Sequence, residues 1–300
     1  TLYDTIADLS QVPVVSAIPF DNNICGPSLA LGGIYTGRVE ASATFDGIAV
    51  NDFSDYTFTW YDGEDINNDP VLTTTSADGD ILYELDAGRY TVILERNSLN
   101  CISVPVTAEV FDDTTLPVIN VSEVPATNCA DGTPNGELLA SVDIGGTPTT
   151  SGHSFQWFEG VDVSPSGIPV SVTGGVNNEL ALQLTGGDTY TVLVTNDTTG
   201  CQNTLSYIVT DSSELPLVSL AMTPNSICDP AVAPVPYNGT ITGTTTYQGA
   251  GVTDYTDYYF NLFEGSDTTG VLNNTITASA ANFIELDSGF YTMRAYNTLL

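Results

Sequence analysis

Positively charged residues are nearly absent from this 300-residue chain, which has no lysine, four arginines and one histidine. Against them stand 37 Asp and Glu residues, so the formal net charge is −33 at pH 7. A chain this acidic repels nucleic-acid phosphates and anionic lipid head groups. Apolar runs are short, and none approaches the roughly 18 residues of a membrane helix. We therefore expect no nucleic-acid partner and no membrane insertion of this segment.

Groups for catalysis are equally scarce. His153 is the single histidine, so a Ser-His-Asp or Cys-His arrangement forms at most once, and no nucleophile motif accompanies it. His153 follows Thr-Ser-Gly, and we expect it in a solvated loop. The chain also has no C-x-x-C pair, P-loop or dinucleotide glycine motif. The sequence predicts that the protein is not an enzyme and has no cofactor, calcium excepted.

What the chain does contain favours strands and turns. Gly, Thr, Asn, Asp and Val are abundant, whereas the helix formers Lys, Arg and Met are scarce. Hydrophobic residues make up 42% of the chain, which is ample for packed cores. This composition indicates an all-β protein.

Three landmarks recur in the same order about every 100 residues. A strand pattern, F-x-[W/L]-[Y/F]-[D/E]-G, occupies 58–63, 155–160 and 260–265. A turn leading into a strand, typified by G-x-Y-T-V, occupies 85–92, 184–192 and 286–293. The third landmark is a proline 12 residues before a cysteine, in the pairs Pro13 and Cys25, Pro117 and Cys129, Pro216 and Cys228. The chain is therefore expected to consist of tandem repeats.

About seven short strands per repeat, without helical periodicity, predict tandem immunoglobulin-like β-sandwich repeats. The expected repeats are 13–113, 114–212 and 213–300, the third without its last strand, while 1–12 form the last strand of an upstream repeat plus a linker. Because residues two apart share a strand face, the landmark aromatics belong in the core. The predicted core residues are Phe58, Trp60, Tyr90, Phe155, Trp157, Tyr190, Phe260, Leu262 and Tyr291.

Residues 1–8 match the last strand of the repeats, as in 104–112 and 205–211. The simplest interpretation is a segment cut from a longer repeat array. The alternative is a pilus-type subunit, polymerised by strand exchange, in which residues 1–8 complete the third domain of a neighbouring subunit.

Five cysteines fall near the starts and ends of the repeats. One disulfide per repeat pairs Cys25 with Cys101 and Cys129 with Cys201, and leaves Cys228 to pair beyond residue 300, with a cysteine at position 301 or 302. If 117–122 form a full first strand, Cys129 lies at the opposite end of the sandwich from Cys201. Pairing of Cys101 with Cys129 across a junction is then the alternative. Either scheme indicates an oxidising, extracellular compartment.

Calcium is the one ligand that the acidic residues suggest. The candidates cluster in 62–69 and at the junction between the first two repeats, and comprise Asp62, Glu64, Asp65, Asp69, Asp112 and Asp113. The alternative interpretation is that these are turn-forming residues.

The order of these motifs resembles a known family. In order, the motifs are a cysteine, F-x-W-x-x-G, L-x-x-G-x-Y-T-V and a second cysteine after an Asn/Asp-rich turn. This order is similar to that of the SprB-type, PKD- and immunoglobulin-like repeats of giant secreted Bacteroidetes adhesins of gliding motility. Leu262 replaces the Trp, and 185–189 carry one extra residue. The resemblance implies type IX secretion, anchoring at the cell surface, and O-glycosylation at Asp-Thr motifs, here at Thr5, Thr114, Thr198 and Thr268.

The predicted function is a structural stalk or filament segment of an adhesin. Its expected partners are the neighbouring repeats of the same chain and, at the surface, polysaccharide or other cells. A carbohydrate-binding module array of a secreted hydrolase is the alternative from another class, and exposure of Trp60 and Trp157 would support it.

Overall fold

The structure is a computed structural model that describes residues 11–74, 79–129, 133–231 and 235–299. Within these residues the chain is all-β and contains no helix. The protein has tandem immunoglobulin-like β-sandwich repeats, each made of antiparallel sheets. The repeat boundaries given above stay a prediction.

The strands fall into three sets. The first is β1 Val14–Phe20, β2 Gly37–Phe45, β3 Ile48–Ala49, β4 Tyr56–Asp62, β5 Leu72–Thr74, β6 Ile81–Leu85, β7 Gly88–Arg96, β8 Cys101–Ile102 and β9 Val106–Val110. The second is β10 Ile119–Val124, β11 Gly136–Ile144, β12 Thr147–Thr149, β13 His153–Glu159, β14 Ile168–Pro169, β15 Thr173–Gly174, β16 Leu180–Leu184, β17 Thr189–Asn196 and β18 Gln202–Ile208. The third is β19 Leu217–Thr223, β20 Gly239–Tyr247, β21 Ala250–Gly251, β22 Tyr258–Glu264, β23 Val271–Thr277, β24 Asn282–Leu286 and β25 Tyr291–Asn297.

Two compact units contain these strands. As far as the structure describes them, the first comprises Thr1–Asn120, Ser141–Gln156 and Leu193–Leu205, and the second comprises Val121–Ala140, Trp157–Val192 and Ser206–Leu300. Strands β11, β13 and β17 have residues in both units.

Each repeat has two sheets of similar strand order. In the first repeat the orders are β1-β2-β3, with β6 also on β2, and β5-β4-β7-β8, with β9 also on β7. In the second they are β10-β11-β16-β15, with β12 on β11, and β14-β13-β17-β18. In the third they are β19-β20-β21, with β24 on β20, and β23-β22-β25. The repeated landmarks therefore correspond to repeated strands: β4, β13 and β22 carry the first, and β7, β17 and β25 carry the second.

The landmark strands bury alternate residues, because successive side chains of a strand point to opposite faces. Along β4 the buried positions are Tyr56, Phe58 and Trp60, and along β22 they are Tyr258, Phe260 and Leu262. Eight of the nine predicted core residues are buried, each at most 8% exposed.

Tyr291 is the exception and is only half-buried. It begins β25, which among the described strands pairs only with β22, whereas its counterpart β7 also pairs with β9. The Tyr291 hydroxyl nevertheless donates to the Asp287 carbonyl at 3.2 Å, as the Tyr90 hydroxyl donates to the Asp86 carbonyl at 3.1 Å. The tyrosine thus keeps its turn-fixing bond without the cover of a further strand.

Candidate functional site

The cysteines lie on two recurring elements. The cysteine loop follows the first strand of each repeat and contains Cys25, Cys129 or Cys228. The cysteine hairpin follows β7, β17 or β25, and in the first two repeats contains Cys101 or Cys201.

An asparagine side chain closes the cysteine loop of the first repeat. Asn22 is 1% exposed. Its Oδ1 accepts from the amides of Ile24 and Thr36, each at 3.2 Å, and its Nδ2 donates to the Ile24 carbonyl at 2.9 Å. These bonds lie within the loop, and a further one, from Nδ2 to Asp86 Oδ1 at 3.5 Å, ties it to the turn before β7.

The third repeat repeats this arrangement. Asn225 Oδ1 accepts from the amides of Ile227 at 3.0 Å and Asn238 at 3.2 Å, and its Nδ2 donates to the Ile227 carbonyl at 2.9 Å. Cys228 is the third residue after Asn225, as Cys25 is the third after Asn22.

The second repeat closes its loop differently. Ala126 stands at the equivalent position, since it bridges to Asp211 as Asn22 bridges to Asp112. Asn135 supplies the side-chain acceptor that Ala126 lacks. Its Oδ1 accepts hydrogen bonds from the amides of Thr127 at 2.9 Å and Asn128 at 3.1 Å. Cys129 therefore keeps the same place in its loop although the closing side chain has changed.

The cysteine hairpin also recurs with a fixed backbone bond. The amide of Asn97 donates to the Asp55 carbonyl at 2.8 Å, and that of Asp197 donates to the Gly152 carbonyl at 3.0 Å. A cysteine follows each of these amides by four residues.

One disulfide joins a loop to a hairpin of the next repeat. Cys25 is bonded to Cys201, with 4.8 Å between their Cα atoms, and both residues belong to the first unit. Backbone hydrogen bonds accompany it: the Cys25 amide donates to the Thr199 carbonyl at 2.9 Å, and the Leu31 amide to the Asp197 carbonyl at 2.6 Å. The bond links the first repeat to the second.

Gly200 makes this close approach sterically feasible. Its φ is +67°, a conformation that side chains rarely adopt, and a Cβ there would lie 2.3 Å from the Gly26 carbonyl oxygen. Only glycine therefore fits at this point of the hairpin.

The predicted pairing of Cys25 with Cys101 is wrong, and so is that of Cys129 with Cys201. Cys25 follows Asn22, whose amide bonds to Phe111 at the Gly88 end of β7, whereas Cys101 pairs with Arg96 at the other end. At about 3.3 Å per residue the length of β7 separates these ends by roughly 25–30 Å, far beyond the ~7 Å limit for a disulfide. Cys101, Cys129 and Cys228 are free thiols, which also rules out the Cys101–Cys129 alternative in this structure.

The two tryptophans, whose exposure would support carbohydrate binding, are buried. Trp60 is 0% exposed and Trp157 is 1% exposed. Trp60 Nε1 donates to the Gly79 carbonyl at 2.9 Å, whereas within the described chain Trp157 Nε1 has no acceptor. Neither indole offers a face to a sugar.

The acidic candidates for calcium serve local turns. Asp65 Oδ1 accepts from the Asn67 amide at 2.9 Å, and Asp112 Oδ1 accepts from the Thr114 amide at 2.9 Å. The Asn67 amide and side chain hold the pKa of Asp65 below its usual value, and the Thr114 side chain and amide do the same for Asp112.

The remaining candidates are not gathered into a site. Glu64 forms an ion pair with Arg89, Asp62 ends β4, Asp69 is exposed, and the Asp113 amide donates to the Asn22 carbonyl. Among the residues that the structure describes, no three His, Cys, Asp or Glu side chains lie together as a metal site would need. Calcium binding stays a prediction.

The remaining sequence predictions concern His153, the glycosylation sites and the exchanged strand. His153 is not solvated: it is 4% exposed at the start of β13, with Nδ1 3.0 Å from the Ser151 carbonyl oxygen. Thr198 and Thr268 are exposed on turns and Thr114 is half-buried, so glycosylation there stays a prediction. Thr5 and the exchanged strand of residues 1–8 lie outside the described residues.

Comparisons with known proteins identify no family. No protein-family model and no curated protein matches the chain. Among solved structures, the FN1–FN3 domains of chicken CNTN1 match with 11% identity and a TM-score of 0.21, covering 95% of this chain and 92% of that one. Titin domains A168–A170 match with 12% identity and a TM-score of 0.26, covering 97% and 94%. Dimeric latent PorU from Porphyromonas gingivalis matches with 13% identity and a TM-score of 0.19, covering 95% of this chain and 30% of that one.

Within the described residues, no helix has the length and apolarity to cross a membrane.

Proposed function

We propose that this chain is an extracellular, load-bearing stalk segment of a bacterial surface adhesin of the SprB type, exported by type IX secretion and without catalysis of its own. The observation that carries the proposal is the Cys25–Cys201 disulfide, which links consecutive repeats rather than closing one. The motif order described above and the net charge of −33 support a surface location.

The disulfide changes how a pulling force passes along the chain. A load applied at the ends reaches Cys25, crosses the sulfur–sulfur bond and continues from Cys201. The residues between the two cysteines, which are 176 positions apart, are therefore shielded from the load. At roughly 3.3–3.6 Å per extended residue, about 580–630 Å of chain cannot be drawn out while the bond is intact.

Pulling single molecules of the full chain by its ends tests this. We expect the maximum extension to increase by about 600 Å when a reductant is added, by the extended-chain estimate, and the Cys25→Ser variant to show that longer extension without reductant. The Cys101→Ser variant is the control and should behave as the unmodified chain.

Two outcomes would overturn the proposal. Equal extension in oxidised and reduced protein would mean that no bond shields the first two repeats. Extension of the oxidised chain without force peaks, as for an unstructured polymer, would mean that the repeats bear no load.

A further inference from the structure

Cys129 occupies in the second unit the place that Cys25 occupies in the first. Each is the third residue after a residue that bridges to the end of its own repeat, Ala126 to Asp211 and Asn22 to Asp112. Cys25 is bonded, whereas Cys129 is a half-buried free thiol.

The hairpin of the third repeat begins as the hairpins of the first two do. The Thr298 amide donates to the Asp257 carbonyl at 2.8 Å, the counterpart of the bond from Asp197 to Gly152 at 3.0 Å. Strand register agrees, since Tyr258 pairs with Asn297 as Tyr56 pairs with Arg96. Four residues after Thr298 is position 302, the place that Cys101 and Cys201 hold in their hairpins.

Cys129 and this hairpin face the same space. Both belong to the second unit, and Cys129, Asn297 and Thr298 line one cleft of about 720 Å³. Cys129 Sγ donates to the Glu214 carbonyl oxygen at 3.9 Å, next to Leu215 and Pro216, which line the cleft. The thiol is therefore on the side from which a hairpin cysteine would approach.

We propose that the Cys129 loop and the hairpin of the third repeat form a second disulfide site in the register of Cys25–Cys201, in which a cysteine placed four residues after Thr298 bonds to Cys129. This inference rests on the proposed stalk function and names the partner that the stalk requires. By the same register, Cys228 stands at the loop position and Cys101 at the hairpin position of such a site. On this proposal a cysteine at 301 or 302 would pair with Cys129, whereas the sequence prediction pairs it with Cys228.

Forming the bond needs an oxidant, and a small-molecule or protein disulfide supplies it. One thiolate attacks that disulfide and forms a mixed disulfide, releasing one thiol. The second thiolate then displaces the other half. Two protein thiols lose two protons and two electrons in total, and the oxidant is reduced to two thiols.

The test extends the full chain by a glycine and a cysteine after Leu300, which copies the Gly-Cys pair at 200–201. The extended protein is refolded with oxidised and reduced glutathione, and its disulfides are mapped by mass spectrometry after cleavage at Asp and Glu. Because an acidic residue separates every two cysteines, each cysteine falls on its own peptide. We expect two linked pairs, Cys25 with Cys201 and Cys129 with the appended cysteine.

Matched variants make the result decisive. Cys129→Ser in the extended chain should leave the appended thiol open to alkylation, while Cys228→Ser should leave both pairs unchanged. If the appended cysteine links to Cys228, or carries only glutathione while Cys25–Cys201 forms, the inference is overturned and the stalk proposal stands. If Cys25–Cys201 also fails to form, the stalk proposal falls with it.

Discussion

The two junctions between repeats share their architecture but differ in closure. At the first, Cys25 and Cys201 are bonded and two backbone hydrogen bonds accompany them. At the second, Cys129 is a free thiol that lines a cleft together with Asn297 and Thr298. The backbone bond that begins the hairpin and the side-chain bonds that close the loop are thus present at the second junction without a disulfide. The two junctions therefore differ in their covalent link and not in these bonds.

Stability alone does not explain why the pairing crosses the junction. On the chain-entropy estimate a loop of about 75 residues, as a pairing within one repeat would close, stabilises by roughly 4.5 kcal/mol, and one of about 176 residues by roughly 5.2 kcal/mol. The gain is only about 0.8 kcal/mol on this estimate. What the observed pairing adds is a covalent connection between neighbouring sandwiches.

The largest expected effect comes from placing a side chain where the first junction closes. Gly200→Ala adds a Cβ 2.3 Å from the Gly26 carbonyl oxygen and 3.2 Å from the Ala30 nitrogen, both backbone atoms. The left-handed conformation costs ~1–2 kcal/mol and the overlap a further ~1–3 kcal/mol. The equilibrium constant for Cys25–Cys201 formation, measured in a glutathione redox buffer, should fall at least tenfold.

Gly187→Ala is the matched control for that variant. Its φ of +86° imposes similar conformational strain, but no atom lies within 4 Å of the added Cβ. It should leave the Cys25–Cys201 equilibrium unchanged. Similar losses in both variants would show that backbone strain, and not close approach at the junction, governs the disulfide.

Much of this fold follows from the sequence, because its signals are local. The F-x-W pattern places Phe58 and Trp60 on one strand face, and both are fully buried. Tyr291 has the same local pattern as Tyr90 but is less buried, because among the described strands β25 pairs only with β22, whereas β7 also pairs with β9. His153 shows the reverse: its neighbours resemble a loop, yet it begins β13 and is buried.

The disulfide could not be read from spacing. A cysteine near each end of a repeat in sequence suggests a pair, but the two ends of a sandwich are separated by the length of its strands. Strand β1 runs the full seven residues from Val14 to Phe20, which carries Cys25 away from Cys101. The partner of Cys25 lies in another repeat, and a pattern inside one repeat holds no information about it.

A smaller effect distinguishes the cysteine loops of the first and third repeats. Asn22 and Asn225 make equivalent bonds, but Asn22 is 1% exposed and Asn225 is half-buried. Removing a buried amide leaves backbone donors unpaired, at about 1–3 kcal/mol. We therefore expect Asn22→Ala to destabilise its loop more than Asn225→Ala does.

Amide hydrogen exchange of the full chain reports both loops in one experiment. Asn22→Ala should accelerate exchange at Ile24 and Thr36, and Asn225→Ala at Ile227 and Asn238, because these amides lose their acceptor. Repeating it after reduction shows whether Cys25–Cys201 holds the first loop. If Ile24 stays protected in reduced Asn22→Ala, the side chain is not what closes the loop.

The smallest effect concerns the hairpin that carries Cys101, which has no disulfide. Asp55 accepts hydrogen bonds from the side chain and amide of Ser98 and from Arg96 Nε at 3.0 Å. The Ser98 side chain, followed by Arg96, lowers the pKa of Asp55 below its usual value of 3.8. Because the pKa of Asp55 is lower in the folded state than in the unfolded state, ionised Asp55 stabilises the hairpin at pH values above its unfolded-state pKa. This contribution is lost as the pH falls through its folded-state pKa.

Protection of the Ser98 amide should therefore decrease below about pH 4, the ordinary range of an Asp carboxyl, and Asp55→Asn should abolish that pH dependence. The hairpin of Cys201 provides the comparison, because its disulfide does not titrate. Protection of the Gly200 amide, which donates to the Asn196 carbonyl at 2.8 Å, should persist through the same range in oxidised protein. If both amides lose protection together, acid acts on the whole fold through relief of its net charge, and the disulfide gives the second hairpin no separate advantage.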